Sequence, residues 1–431
     1  MHVKSKPLGF WSCWALAVGT MIGSGILLVP ASLAPYGLLS LGGWVISSVG
    51  TVAIVLVFAR LAARTTRDGG PYVYVQDAFG DMAGFLVAWT YWLGFCVSIP
   101  LQAMAFAGYL GVFVPALVHS IVVKALTALG IIGVFTYVNV RGLRKMSVVQ
   151  ITLTLLKIIP LFVIMGAALT FGTPHNLPPL NPSQAPIRLS LTTVTLITLW
   201  PFTGFQAAVC NARAVREPER TIPRALTAAV ALVTIIYIGA SLAVMLLVPS
   251  GQLAHSEAPV ADAARVLGAW GAPLVALGAL IATAGTLNGV IFASSQMPMA
   301  VAEDGKAPRW LATLNAGGAP HGSVLLSSSF GVLLLLLNYS RGLVAGYTFL
   351  LKVATALCLI YYFACGLADI KHSWRSARGW TLVALFACSY AAFAMIGSRL
   401  EVLVWDGVLT AAGVPLYFVF RKRARSAPAV S

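Results

Sequence analysis

Residues 15–33 read ALAVGTMIGSGILLVPASL, an apolar run with Gly23-Ser24-Gly25 near its centre. A bilayer crossing needs about 20 mostly apolar residues, so this stretch is a membrane span, and an interrupted one. Glycine alone signals close helix packing. Here Gly19, Gly23 and Gly25 cluster and Pro30 follows; proline removes a backbone donor and breaks regular helix. A second interruption lies in residues 195–212, TLITLWPFTGFQAAVCNA, where Pro201 and Gly204 fall mid-span. Two interrupted spans five apart are the pattern of a transporter built from two five-helix repeats of opposite orientation. On spacing alone, two unrelated kinked helices remain the alternative. Each break frees N–H and C=O groups at membrane depth, which is tolerated only where they line a protein-enclosed cavity. The N–H groups after Gly25, at a helix N-terminus, attract a carboxylate. Carbonyls ending the preceding half-helices attract an ammonium. Together these features describe a zwitterionic amino-acid backbone.

Outward from these two segments, apolar runs separated by polar or Pro/Gly loops predict spans over 8–34, 41–64, 83–113, 121–140, 146–172, 191–211, 222–248, 270–301, 321–339, 343–368, 379–398 and 402–420. The expected fold is an all-α polytopic membrane protein of 12 transmembrane helices. It forms one transmembrane domain over 1–420, with repeat one about 8–172, repeat two about 191–368 and two extra helices about 379–420. A basic tail follows at 421–431. The Pro- and Asn-dense segment 174–187, PHNLPPLNPSQAPI, is an external loop. Composition agrees: 59% of the 431 residues are apolar and 9% charged, against about 25% charged in soluble domains. A soluble enzyme, a disulfide scaffold and a disordered chain are excluded. The N-terminus runs into a long apolar segment without a cleavage signature, so the first span is expected to be retained.

The net charge of +16 invites a nucleic-acid reading, but its distribution speaks for topology. Of the 28 Lys and Arg residues, 21 fall on the face that carries both termini, five (Lys124, Arg188, Arg265, Arg341, Arg399) on the other, and two (Lys157, Lys352) inside spans. Cytoplasmic loops retain Lys and Arg during insertion. Both termini are therefore expected to be cytoplasmic, in a bacterial inner membrane, with no nucleic acid as partner. The tail RKRAR at 421–425 is suited to anionic lipid as well as to topology. The six cysteines all lie in apolar stretches at no metal or redox spacing, and the six histidines lie in loops or at the N-terminus. No metal site, cofactor or catalytic constellation is expected.

Lys157, within SVVQITLTLLKIIPLFV (147–163), is the sharpest single residue. A charge at mid-membrane is rare and functional by default, and its depth makes snorkelling to an interface awkward. Asp369 and Asp406 lie near span ends, so a carboxylate relay is not expected and Lys157 is the main internal titratable group. Lys352, within YTFLLKVATALCLIYY (347–362), either meets a polar substrate side chain or snorkels outward. A channel would need a polar stripe or charged ring, and a membrane enzyme central His, Asp or Glu. Neither pattern is present.

Five segments, MIGSGILLVPASLAPYG (21–37), GGPYVYVQDAFG (69–80), TLWPFTGFQA (198–207), REPERTIPRA (216–225) and AEDGKAPRW (302–310), make the whole chain resemble the amino acid–polyamine–organocation transporters, nearest to bacterial arginine/agmatine-type antiporters. The resemblance implies a LeuT-type fold with a 5+5 inverted repeat, broken helices 1 and 6, and alternating access without sodium. It places the substrate carboxylate on Ser24 and Gly25, with Gly23 beside them in the substrate site, and the ammonium on main-chain carbonyls of Met21, Trp200 and Thr203 beside Gly204. Trp200 resembles the aromatic that closes over substrate, and Tyr72 and Tyr91 resemble gating residues. Lys157 resembles the lysine that stands where other members hold sodium, donating to carbonyls around Gly19–Ile22 as a coupling residue. Lys352 falls near a substrate-contact position. Related antiporters are dimers. Gln206 replaces an acidic residue, Ile99 an amide and Val290 a tryptophan, which counts against an arginine guanidinium, since an unpartnered cation in an apolar site is costly. The expected function is secondary transport of an amino acid, by exchange or proton-linked. A polyamine or organic-amine antiporter is the alternative, and a small-solute channel is less favoured.

Overall fold

The computed structural model describes residues 9–65, 69–142, 146–206, 215–374 and 377–426. Among these the chain is helical throughout, and its principal helices are α1 (Phe10–Met21), α2 (Ser24–Leu33), α3 (Leu39–Arg64), α4 (Pro71–Phe79), α5 (Asp81–Leu110), α6 (Ile121–Arg141), α7 (Met146–Phe171), α8 (Ile187–Leu199), α9 (Pro218–Leu247), α10 (Gly271–Glu303), α11 (His321–Asn338), α12 (Leu343–Ser373), α13 (Arg378–Ile396), α14 (Leu400–Ala411) and α15 (Gly413–Ser426). Long helices α5 and α10 pack on each other at the centre. Helix α12 joins α5, α9 lies against α1 and α3, and α3 against α8.

The first interruption is real. Helix α1 stops at Met21, Ile22 turns to extended backbone (φ −80°, ψ 103°), and α2 restarts at Ser24. The two halves are bent by 43°. In the second, α8 tightens into a 3₁₀ turn at Trp200–Phe202, Thr203 is extended (ψ 149°), and Gly204 adopts φ +118°. Left-handed backbone of this kind suits only glycine. The predicted sixth span, 191–211, is described as far as Gln206.

The two breaks meet. A side chain at Gly25 would strike the Pro201 ring at 2.7 Å, and one at Gly204 would strike the Thr20 carbonyl at 2.8 Å. Small residues here let backbone touch backbone. The freed groups are satisfied by protein: Thr20 Oγ1 donates to the Gly204 carbonyl at 3.0 Å. The Tyr237 hydroxyl of α9, fully buried, reaches the carbonyls of Met21 (2.8 Å) and Pro201 (3.0 Å). One phenol thus holds a carbonyl from each break.

Among the described residues, nine helices are long and apolar enough to cross a membrane, ten with the bent pair counted as one span. Lys157–Phe171 within α7 and Ile187–Phe202 are apolar but shorter. The expected count of twelve is therefore not reached among the described residues, because α8 ends at its break and 207–214 lie outside them. Leu400–Phe420 behaves as one span across the α14/α15 junction, as 402–420 predicted, and the tail beyond Ser426 lies outside the described residues.

Tyr237→Phe removes the single donor hydrogen that two buried carbonyls share, leaving one more of them unpaired at any moment. It is expected to destabilise the protein by about 1–3 kcal/mol, read as a lowered melting temperature in detergent. An unchanged melt would mean that the break carbonyls do not depend on it.

Candidate functional site

The breaks form the blind end of a single large cavity of 1260 Å³. Its wall runs from Ser24, Gly25, Trp200 and Gln102 to Glu303, Asp304 and Gly317 at the other end. That mouth lies at the C-terminal ends of α6 and α10, the face bearing Arg141 and Lys306. Beyond the blind end, Tyr109 and Tyr347 are fully buried and close the path. Tyr109 donates to the Leu27 carbonyl at 2.7 Å, and Tyr347 to Ser24 Oγ at 3.3 Å. The lining residues at the mouth, such as Glu303 and Asp304, are exposed, whereas Ser24, Gly25 and Gln102 at the breaks are buried.

Met21, Gly23, Ser24, Gly25, Trp200, Thr203, Gly204 and Gln206 all line this cavity, as do Tyr72 and Tyr91. Seen from α5, the lining residues Tyr91, Gly94, Phe95, Ser98 and Gln102 form one stripe at helical spacing. Tyr91 packs on Phe95 and Tyr361, with ring centroids 4.9 and 5.3 Å apart. The Trp200 carbonyl accepts from Thr203 N (2.9 Å) and Thr203 Oγ1 (2.7 Å). The Ser24 N–H donates to Gln102 Oε1 at 3.2 Å. Gln206 turns onto its own break, its Oε1 accepting from the Gly204 N–H at 2.6 Å while its amide nitrogen donates to Tyr361 at 2.8 Å. Glutamine thus caps this break as a neutral group.

Lys157 is 2% exposed. Its ammonium lies 3.0 Å from Thr286 Oγ1 on α10 and 3.5 Å from the Gly19 carbonyl on α1. It ties the fifth predicted span to the last turn before the first break. Lys352 is buried on α12 but does not line the cavity, and it lies within the field of Arg399, on the closed side. Val290 lines the cavity. Ile99 does not: it is fully buried and packs on Gly331 of α11, so the expectation that it would face a substrate side chain is corrected.

At the mouth, Tyr72 donates to Asp304 Oδ2 at 2.7 Å and accepts from Lys306 Nζ at 2.9 Å, while Lys306 pairs with Asp81 at 2.8 Å. Burial, aided by the bond to Asp304 and opposed by Lys306, holds the Tyr72 hydroxyl at about 12. Burial works against the Lys306 ammonium, but its bonds to Asp81 and Tyr72 outweigh this and raise its pKa. Tyr72 therefore stays neutral and Lys306 charged across physiological pH, and the cluster links α4, α5 and the α10 terminus.

Sequence reasoning passes over three residues, Gln102, Tyr237 and Tyr347. Gln102 is marked as an amide in the middle of an apolar run. Tyr237 and Tyr347 carry no such mark, since tyrosine is common near membrane interfaces. The burial of a fourth, Asp406, is not legible from its place near a span end: it is 3% exposed, and neither carboxylate oxygen has a hydrogen-bond partner among the described residues.

Comparison with known proteins follows the same lines. Residues 8–412 match the family model described as amino acid permease. The cadaverine/lysine antiporter of Escherichia coli (strain K12) is 28% identical over 413 residues, covering 92% of this chain and 90% of that protein. A protein of Bacillus subtilis (strain 168), provisionally named as an arginine/ornithine antiporter, is 27% identical over 457 aligned positions, covering 96% of each chain. The chain belongs to the amino acid permease family, within the amino acid–polyamine–organocation superfamily, and is an integral membrane transporter of amino acids or amines.

Proposed function

We propose that this protein is a secondary antiporter that exchanges an amino acid across the bacterial inner membrane by alternating access. The reading rests above all on one observation: two helix breaks meet at the buried end of a large cavity whose other end is lined by exposed residues. Free N–H groups at the start of α2 and carbonyls at the ends of α1 and α8 present opposite partial charges a few residues apart. A zwitterion fits that pair, its carboxylate toward Ser24 and Gly25 and its ammonium toward the carbonyls of Met21, Trp200 and Thr203. Trp200 then covers the substrate, with Tyr72 and Tyr91 on the gating path.

On this reading the fold is a 5+5 inverted repeat of LeuT type with two extra helices. The two shorter apolar helices complete the twelve spans. The excess of Lys and Arg places the termini, and the cavity mouth beside Arg141 and Lys306, on the cytoplasmic side, making this an inward-facing state. Lys157 takes the place of a coupling cation by bridging α7 to the first break, so no sodium is required. Protons, anionic lipid at the basic tail and a second copy of the chain are its remaining partners. Lys352, away from the cavity, is set aside as a substrate contact.

A second reading, antiport of organic amines, has its own observation. The Ser24 N–H is already occupied by Gln102, and an amine without a carboxylate asks only for the carbonyls. The names of both relatives pair a basic amino acid with an amine or a second amino acid.

Counterflow in proteoliposomes is the direct test. Vesicles preloaded with unlabelled amino acids or diamines should accumulate the labelled solute without sodium; no movement of any amino acid or amine, with or without a pH gradient, ends the proposal. Lys157→Ala should cut the rate about tenfold or more, the loss expected for a charged hydrogen-bonded bridge, with the protein still monodisperse. An unchanged rate would strip Lys157 of its role. Trp200→Ala should raise the apparent substrate constant about tenfold, consistent with loss of an aromatic lid, and an unaltered constant would remove Trp200 from the site.

A further inference from the structure

Four N–H groups at the start of any helix lack intrahelical acceptors, and at the start of α2 the first two belong to residues that line the cavity, Ser24 and Gly25. The first of them, on Ser24, is not empty-handed. Gln102, 78 residues away on α5, places its side-chain oxygen 3.2 Å from that nitrogen. The Gly25 N–H beside it meets no acceptor among the described residues. Gln102 is itself 4% exposed, lines the cavity, and its amide nitrogen has no partner among the described residues. One end of this side chain therefore sits in the anion position, and the other is directed at the space where a solute would lie.

We propose that Gln102 is an internal stand-in for the substrate carboxylate and sets the balance between amino acids and the corresponding amines. The inference rests on the transport reading above. A carboxylate makes charge-assisted bonds to N–H groups, stronger than those of a neutral amide oxygen, and gains further from the α2 dipole. An entering amino acid displaces Gln102 Oε1 from Ser24 and takes both N–H groups. An amine lacking the carboxylate leaves Gln102 in place, so the Ser24 donor stays satisfied. Without Gln102, the amine-bound state would leave a buried donor unpaired, which is costly. The residue thereby lets one site release a carboxylate-bearing solute and accept one without it.

Two substitutions pull in opposite directions. Gln102→Glu installs a carboxylate in the anion position. Gln102→Leu, of similar volume, removes the competing acceptor. Each is measured in proteoliposomes with labelled pairs that differ by the α-carboxylate: lysine and cadaverine, arginine and agmatine, leucine and isoamylamine. Gln102→Glu is expected to lower the amino-acid to amine preference about tenfold or more, and Gln102→Leu to raise it, as the charge-assisted bond predicts. Size-exclusion profiles confirm folding; if Gln102→Glu does not fold, the sign of the Gln102→Leu shift decides alone. Shifts of the same sign, or no shift, overturn the role of Gln102 while leaving transport standing. If the wild type carries no member of any pair, the transport reading fails and this inference with it.

Discussion

Everything in this molecule depends on satisfying backbone polar groups where no water is available. An unpaired N–H or C=O in hydrocarbon costs several kcal/mol, so a helix that stops in mid-membrane must find partners from protein. Here the two breaks supply them for each other. Gly25 packs on Pro201, Gly204 packs on Thr20, and the Thr20 hydroxyl closes on the Gly204 carbonyl. Tyr237 adds one phenol spanning both strands of irregular backbone. Once these contacts are made, α1, α2, α8 and α9 have fixed relative positions, and the remaining helices pack around them.

The same constraint explains why the site is polar without being charged. Charges at this depth are expensive, yet on the proposed reading a zwitterionic solute brings two. Partial charges on N–H and C=O groups meet them without a buried ion when the solute is absent. Glutamine at 206 fits this logic. It caps Gly204 and bonds Tyr361 as a neutral group, where an acid would need its own partner. The formal charges that line the cavity, Glu303 and Asp304 among the described residues, sit at the mouth, where hydration is available.

Much of this was legible in the sequence, and the boundary of legibility is physical. Gly23-Ser24-Gly25 and Pro201 with Gly204 announce broken helices because glycine and proline act locally. Lys157 stands out because a lone cation in an apolar run must have a partner. What could not be read is which faces meet. The resemblance makes Ile99 a substrate-facing residue, but helix rotation turns it onto Gly331. Lys352, left open between a substrate contact and an outward snorkel, is buried away from the cavity lining and under the influence of Arg399. Tyr237 and Gln102 act over sequence separations of 216 and 78 residues, distances at which no spacing rule applies. Asp406 lies near a span end, as counting along the chain places it, but its burial comes from helices distant in sequence, since α14 packs against α12 and α5.

Lys157 and Gln102 then share one logic on the proposed reading. Each is a side chain on a neighbouring helix that reaches the first break and supplies what a small ion would otherwise supply. The lysine brings positive charge to the end of α1, where carbonyls accumulate negative partial charge. The glutamine brings an acceptor to the start of α2, where N–H groups accumulate the opposite sign. They differ in consequence. The ammonium of Lys157 bonds Thr286 and Gly19 in a place that lies apart from the substrate's own groups, so it holds the break in every state that keeps α7, α10 and α1 together. Gln102 sits where the substrate's carboxylate belongs and must give way for it. A tethered cation fixes the scaffold and a tethered amide competes with the cargo. A break served by both keeps its shape when empty and still yields to the solute, and that combination is what exchange across an alternating site requires.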